Sequence, residues 1–158
     1  MTDSALQRLI DIEAIKQLKG MYCRCVAIED WATFMSLFTE DLTFIQPDGT
    51  VQHPRAAFEA FHKVNLQAPK VWGVVHCFTP MIEITGPDEA TGVWGMSDVH
   101  IWPDPEGVAD GGPTVGHVGY GHYHETYVRT AQGWKFKRIH VIYERFEPMA
   151  GGAVAAIE

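Results

Sequence analysis

Beyond Pro69 this chain has no stretch of helical periodicity. VWGVVHCF with MIEI, ATGVWGMSDVHIW, GHVGYGHYHETYVR and WKFKRIHVIYERFE follow one another as long strand-like runs broken by Gly-, Pro- and Asp-rich turns. Ahead of them stand amphipathic segments with apolar residues at three- and four-residue steps. Helices first and long antiparallel strands after them define an α+β domain: a curled sheet wrapped by N-terminal helices. Such a sheet cannot fill its concave side completely, so a cavity for a small apolar molecule is expected there.

The first helix is expected to turn Leu6, Leu9, Ile10, Ile15, Leu18, Tyr22 and Cys25 to one side, with Ser4 as N-cap and Gln7 as capping-box partner. A short second helix follows Asp30, a natural cap, and carries Trp31, Phe34, Leu37 and Phe38. LTFIQPDGTV reads as a strand, a turn and a return. After Pro54 comes a third helix, AAFEAFHKVNLQ. The first long strand is expected to bend at Pro80. PDPEGVADGGPT is a loop between strands, and Thr130 to Gly133 is the last turn. At 158 residues, with no internal repeat, the chain reads as a single domain, 1–158, whose small-residue tail from about position 149 is mobile.

The formal charge of −8, with Lys and Arg scattered, excludes an electrostatic footprint for nucleic acid or an anionic membrane. No apolar run reaches the roughly 20 residues of a membrane span. The acidic N-terminus MTDSALQRLIDIE is wrong for a secretory signal. Cys23, Cys25 and Cys77 do not make a disulfide framework, and Cys25 and Cys77 read as small core residues. A cytoplasmic location is the expectation.

Several residues are candidates for chemistry. His76 sits among Val74, Val75 and Phe78, where a histidine is either a satisfied core residue or a proton acceptor working near neutral pH. Asp98 and His100 are two apart on a strand and share one face with Met96, so the carboxylate can hold the imidazole and stabilise its charged form. Tyr22 lies on the apolar stripe, placing its hydroxyl to donate to a developing oxyanion or simply to backbone. His117, His122 and His124 lack a Cys or carboxylate at a recognised metal-ligand spacing, and His122 and His124 face outward if Tyr123 faces in. Trp72, Trp94, Trp102 and Trp134 read mainly as core and interface.

DIEAIKQLKGMYCRC, then DW with LF and ED behind it, and GHYHETYVRTAQGWKFKRI near the end together resemble the SnoaL-like branch of the nuclear transport factor 2-like superfamily. The resemblance runs from about Leu6 to Phe146. It implies a cone-shaped α+β barrel, commonly a homodimer or homotrimer, with the active site inside the cone and no metal or organic cofactor. The branch's dehydratases and dehydrochlorinases remove a proton and expel a leaving group. Carried over, the resemblance makes His76 the base and Tyr22, Asp98 and His100 its catalytic partners, with Tyr123 as a pocket residue. Met96, Phe44 and Trp94 complete the expected substrate wall. The helix position that carries the branch's dyad aspartate is Ala27 here, with Glu29 and Asp30 close by. That departure makes isomerisation or cyclisation as reasonable as dehydration.

The expected function is a cofactor-independent lyase or isomerase acting on a small, cyclic, apolar molecule. The alternatives are a non-catalytic binding or oligomer-building module and a metal-dependent oxygenase using the histidine-rich strand.

Overall fold

The computed structural model describes residues 3–65, 72–103 and 114–150. Helix α1 (Asp3–Ile28) turns Asp11, Ile15, Lys19, Tyr22 and Val26 inward at three- and four-residue steps. This is not the all-apolar stripe expected. Leu6, Leu9 and Ile10 are exposed, while Asp11 and Lys19 are buried. Ser4 lies inside the first turn rather than before it.

Buried charges need partners, and these lie far along the chain. Asp11 pairs with Arg129 at 2.7 Å and accepts from Gln7 Nε2 at 3.1 Å and Trp134 Nε1 at 3.3 Å. Lys19 Nζ donates to Glu125 Oε1 at 2.5 Å. The Tyr127 hydroxyl donates to the other oxygen of Glu125 and accepts from Trp94 Nε1 at 2.8 Å. These two polar connections pin α1 to the sheet.

Helix α2 (Trp31–Ser36) starts as expected at Asp30, whose carboxylate accepts from the Thr33 amide at 3.1 Å. Six strands, β1 (Phe38–Ile45), β2 (Val51–Gln52), β3 (Trp72–Ile84), β4 (Glu89–Pro103), β5 (Thr114–Thr130) and β6 (Gly133–Ala150), form one open sheet in the order β2-β1-β6-β5-β4-β3. Helix α3 (Arg55–Asn65) leads from one edge strand to the other. The long strands β3 to β6 pair antiparallel as expected, β1 pairs antiparallel with β2, and only β1 with β6 is parallel. The loop expected over 103–114 falls almost entirely outside the described residues, as do the end of the third helix and positions 151–158 of the tail. Positions 149 and 150 close strand β6.

Register shifts between Phe78 and Met81, Tyr120 and Gly121, and Thr126 and Tyr127 put extra residues into single strands, which bends and twists them. The sheet therefore curls, and its concave face receives the helices. Phe34, Phe38, Phe44, Phe58, Phe136 and Ile139 pack there, with Phe44 and Phe58 stacked at 4.5 Å. No helix among the described residues is long and apolar enough to cross a membrane. Cys25 is buried as expected, whereas Cys77 is half-buried against Cys23.

His62 of α3 is buried among Trp31, Phe34 and Phe58. Burial, reinforced by the charge of His100, lowers it to about 4. The unfolded chain, with histidine near 6.5, takes up this proton first as the pH falls. Stability is therefore complete above about pH 6.5 and declines through pH 4, by up to about 3 kcal/mol for this group. Urea unfolding between pH 7 and pH 4 should show a shallower decline in His62→Leu than in wild type. Parallel curves would assign the acid limb to other groups.

Candidate active site

The concave face leaves a cavity of about 280 Å³ between the sheet and the helices. Its walls are mostly rings and aliphatic side chains, among them Tyr22, Phe34, Phe44, Phe58, Val75 and Val141. One end is polar. Asp98 and His100 of β4, His117 of β5 and Tyr143 of β6 meet there.

Strand pairing explains the meeting. His100 stands directly opposite His117, and Asp98 stands opposite Gly119. Residues opposite one another across an antiparallel pair point to the same face. Gly119 has no side chain to fill the space beside Asp98. A Cβ there would lie 2.3 Å from both Asp98 Oδ1 and a Tyr143 ring carbon, so glycine lets the two side chains touch. Gly73 of β3 does the same for His100, whose Nδ1 would be 2.4 Å from an added Cβ.

The carboxylate of Asp98 lies between two imidazoles. His100 Nε2 is 3.6 Å from Oδ2, and His117 Nε2 is 3.7 Å from Oδ1. The Tyr143 hydroxyl donates to Asp98 Oδ2 at 2.6 Å and lies 3.3 Å from His117 Nε2. Asp98 Oδ1 and His100 Nδ1 are buried without a hydrogen-bond partner. Burial on its own raises the Asp98 carboxyl, but His117, the Tyr143 hydroxyl and the imidazole charges outweigh it and hold it below the ordinary range. Burial lowers His100, opposed by the Asp98 charge. Tyr143 is raised by burial first and then by the Asp98 charge, so it stays protonated and able to donate.

The expected site residues divide in two. Asp98, His100, Tyr22, Tyr123 and Phe44 all line the cavity. Burial, the largest effect, raises both tyrosines, whose rings meet edge to face with centres 5.9 Å apart. Met96 and Trp94 are buried on the same face without lining this cavity.

His76 is placed elsewhere. It pairs with Ser97, whereas Val75 pairs with Asp98, so the imidazole points to the opposite face and is exposed. It borders a separate cleft with Lys16, Lys19, Cys23, Phe78 and Trp94. The cause is the register shift at Thr79 and Pro80. Extended without it, the pairing of Ile84 with Ala90 would set His76 opposite Asp98. Thr79, at φ 45°, absorbs the extra residue.

Ala27 is exposed, so a carboxylate there would face solvent, and Asp30 is engaged in capping α2. Asp98 is the carboxylate at the site. His122 pairs with Glu144 at 2.9 Å on the outer face and His124 is exposed, so neither joins His117. His117 and Tyr143 are the site residues that local patterns do not identify.

A curled, unclosed six-stranded sheet around N-terminal helices, with a cavity on its concave side, defines the nuclear transport factor 2-like, cystatin-like class of folds. Within that class the chain belongs to the SnoaL-like domain family, which matches residues 7–140. It is similar in fold to a scytalone dehydratase-like protein from Novosphingobium aromaticivorans, at 19% identity over 100% of both chains and a TM-score of 0.76. A type 2 hexachlorocyclohexane dehydrochlorinase superposes with a TM-score of 0.75, at 16% identity over 96% of this chain and 97% of that one. A nuclear transport factor 2-like protein with a cystatin-like fold, also from N. aromaticivorans, reaches 0.61 at 18% identity, covering 89% and 86%.

Proposed function

We propose that this protein is a lyase or isomerase that needs no cofactor for its chemistry and removes a proton from a carbon acid held in the concave cavity. The observation that carries the reading is a carboxylate between two imidazoles, beside a tyrosine hydroxyl, at the polar end of a cavity otherwise walled by rings and aliphatic groups. His117 accepts the proton through Nε2. The Asp98 carboxylate, 3.7 Å from that nitrogen, stabilises the charged form of the ring. The Tyr143 hydroxyl, which donates its one proton to Asp98 Oδ2, turns from Asp98 to the oxygen that gains charge or leaves, and His100 supports Asp98 from its other side. His100 is the poorer acceptor because its Nδ1 is sealed against Gly73 and burial lowers its basicity.

The apolar walls favour a small, largely uncharged cyclic molecule with a carbonyl or similar activating group. Members of the fold named for a dehydratase and a dehydrochlorinase support elimination, and isomerisation through the same enolate needs only that the proton return elsewhere. Assembly as a homodimer or homotrimer belongs to the same reading, with exposed Trp72, Phe78 and Met81 on edge strand β3 as its natural contact.

The test is deuterium uptake at the α-carbon of cyclic β-hydroxyketones and enones, followed by mass spectrometry in chelator-treated protein. Wild type and His76→Ala are expected to exchange alike, and His117→Ala to lose at least about 100-fold. Exchange that survives His117→Ala but vanishes in His76→Ala would overturn the assignment. Tight binding of these compounds with no exchange would make the cavity that of a non-catalytic binding module.

A further inference from the structure

We propose that Asp98, His100 and His117 also form a binding site for one divalent transition-metal ion of the Zn²⁺ type, open on its remaining side to the cavity. Donor atoms of the three side chains all lie within 4.8 Å of one another. A tetrahedral Zn²⁺ with ligands at about 2.0–2.1 Å sets neighbouring donors roughly 3.4 Å apart. Each imidazole lies close to that distance from one carboxylate oxygen, His100 Nε2 at 3.6 Å from Oδ2 and His117 Nε2 at 3.7 Å from Oδ1, so an ion held by a single oxygen needs the carboxylate to turn. The remaining imidazole-to-imidazole edge lies within the 4.8 Å that spans all three donors.

A second observation points the same way. Asp98 Oδ1 is buried, faces His117 Nε2 and has no hydrogen-bond partner. A carboxylate oxygen in an interior is ordinarily satisfied, and an ion between it and the imidazoles would satisfy it. The Tyr143 hydroxyl, on Oδ2, fixes the carboxylate as outer-shell donors fix metal ligands elsewhere. Two imidazoles and one carboxylate suit Zn²⁺, Co²⁺, Ni²⁺ or Fe²⁺. The set is poor for Mg²⁺ and Ca²⁺, which prefer oxygen ligands.

The inference does not rest on the proposed reaction. A bound ion would withdraw Asp98 and His117 from proton transfer, but binding is read without turnover, so either idea can fail while the other stands.

Chelator-treated full-length protein is titrated with ZnCl₂ by calorimetry and with CoCl₂ by visible absorption. The expected result is one ion per chain, Co²⁺ ligand-field bands in the visible, a Zn²⁺-dependent rise in Tm, and no response to MgCl₂. Asp98→Asn and His117→Gln should each weaken Zn²⁺ binding at least tenfold, with circular dichroism verifying their folds. His122→Ala, which alters an outer-face imidazole, should bind as wild type does. Should one of the two site variants misfold, the other together with the Co²⁺ spectrum of the wild-type protein decides. Absence of stoichiometric binding, binding undiminished in a folded site variant, or binding lost in His122→Ala would overturn the proposal.

Discussion

Lys19→Met alone is expected to destabilise the protein by about 3–5 kcal/mol, and Glu125→Gln alone by a comparable amount. The pair is almost wholly buried, at 1% and 0% side-chain exposure, so removing one charge leaves the other in the interior with no counter-ion. Against a typical total stability of about 5–15 kcal/mol, that is a large fraction. The double variant should recover most of the loss. With both charges gone, the desolvation penalty disappears, and the glutamine carbonyl can still accept from the Tyr127 hydroxyl that Trp94 supports. A urea-unfolding double-mutant cycle measures the coupling. Strictly additive losses would mean that each side chain stabilises the fold through packing alone. The consequence reaches the cavity, because the Lys19 ammonium lies 3.6 Å from the Tyr123 ring centre and 4.4 Å from that of Tyr22, both wall residues. Ligand affinity should fall with the single variants before the fold is lost.

That pair also shows where local patterns in the chain stop being informative. Helical periodicity picks out apolar positions, and Lys19 breaks the stripe although it faces inward, because its partner is 106 residues away. Asp11 misleads in the same way, with Arg129 and Trp134 as its partners. The strands were legible because alternation and turn residues are local. Asp98 and His100 could be assigned to one face by simple two-residue parity, and they do share it. Parity between strands is different, since it depends on register, and one bulge inverts it. Pro80 announces that strand β3 bends but not that the bend carries an extra residue, which sends His76 outward and Val75 inward. The place of His117, which the sequence groups with His122 and His124, and the presence of Tyr143 were hidden for related reasons. The position of His117 opposite His100 follows from pairing across a long connection, and Tyr143 stands opposite Gly121, between the two register shifts of the β5–β6 pairing, and reaches Asp98 over the bare backbone of Gly119.

Asp98→Asn is expected to lower proton exchange by about 10²–10⁴-fold while leaving ligand binding within a few-fold of wild type. The substitution keeps the size of the side chain and an oxygen to accept from the Tyr143 hydroxyl. It removes the negative charge 3.7 Å from His117 Nε2, which stabilises the imidazolium formed as the proton arrives. Because the lost charge acts on the proton transfer and not on the apolar walls that hold the ligand, the loss belongs in kcat and not in KM. Tyr143→Phe separates the neighbouring effect. It keeps the Asp98 charge but removes the hydroxyl that donates to it and that would donate to the developing oxygen, and should cost about 10²–10³-fold with its own dependence on how basic that oxygen is. Both variants are measured in chelator-treated protein, so that a lost metal site cannot imitate a lost base. Parallel losses of binding, Tm and exchange in Asp98→Asn would make Asp98 a structural residue that merely holds the three strands together. A selective loss of exchange, with cavity binding intact, would make it the group that lets His117 take the proton.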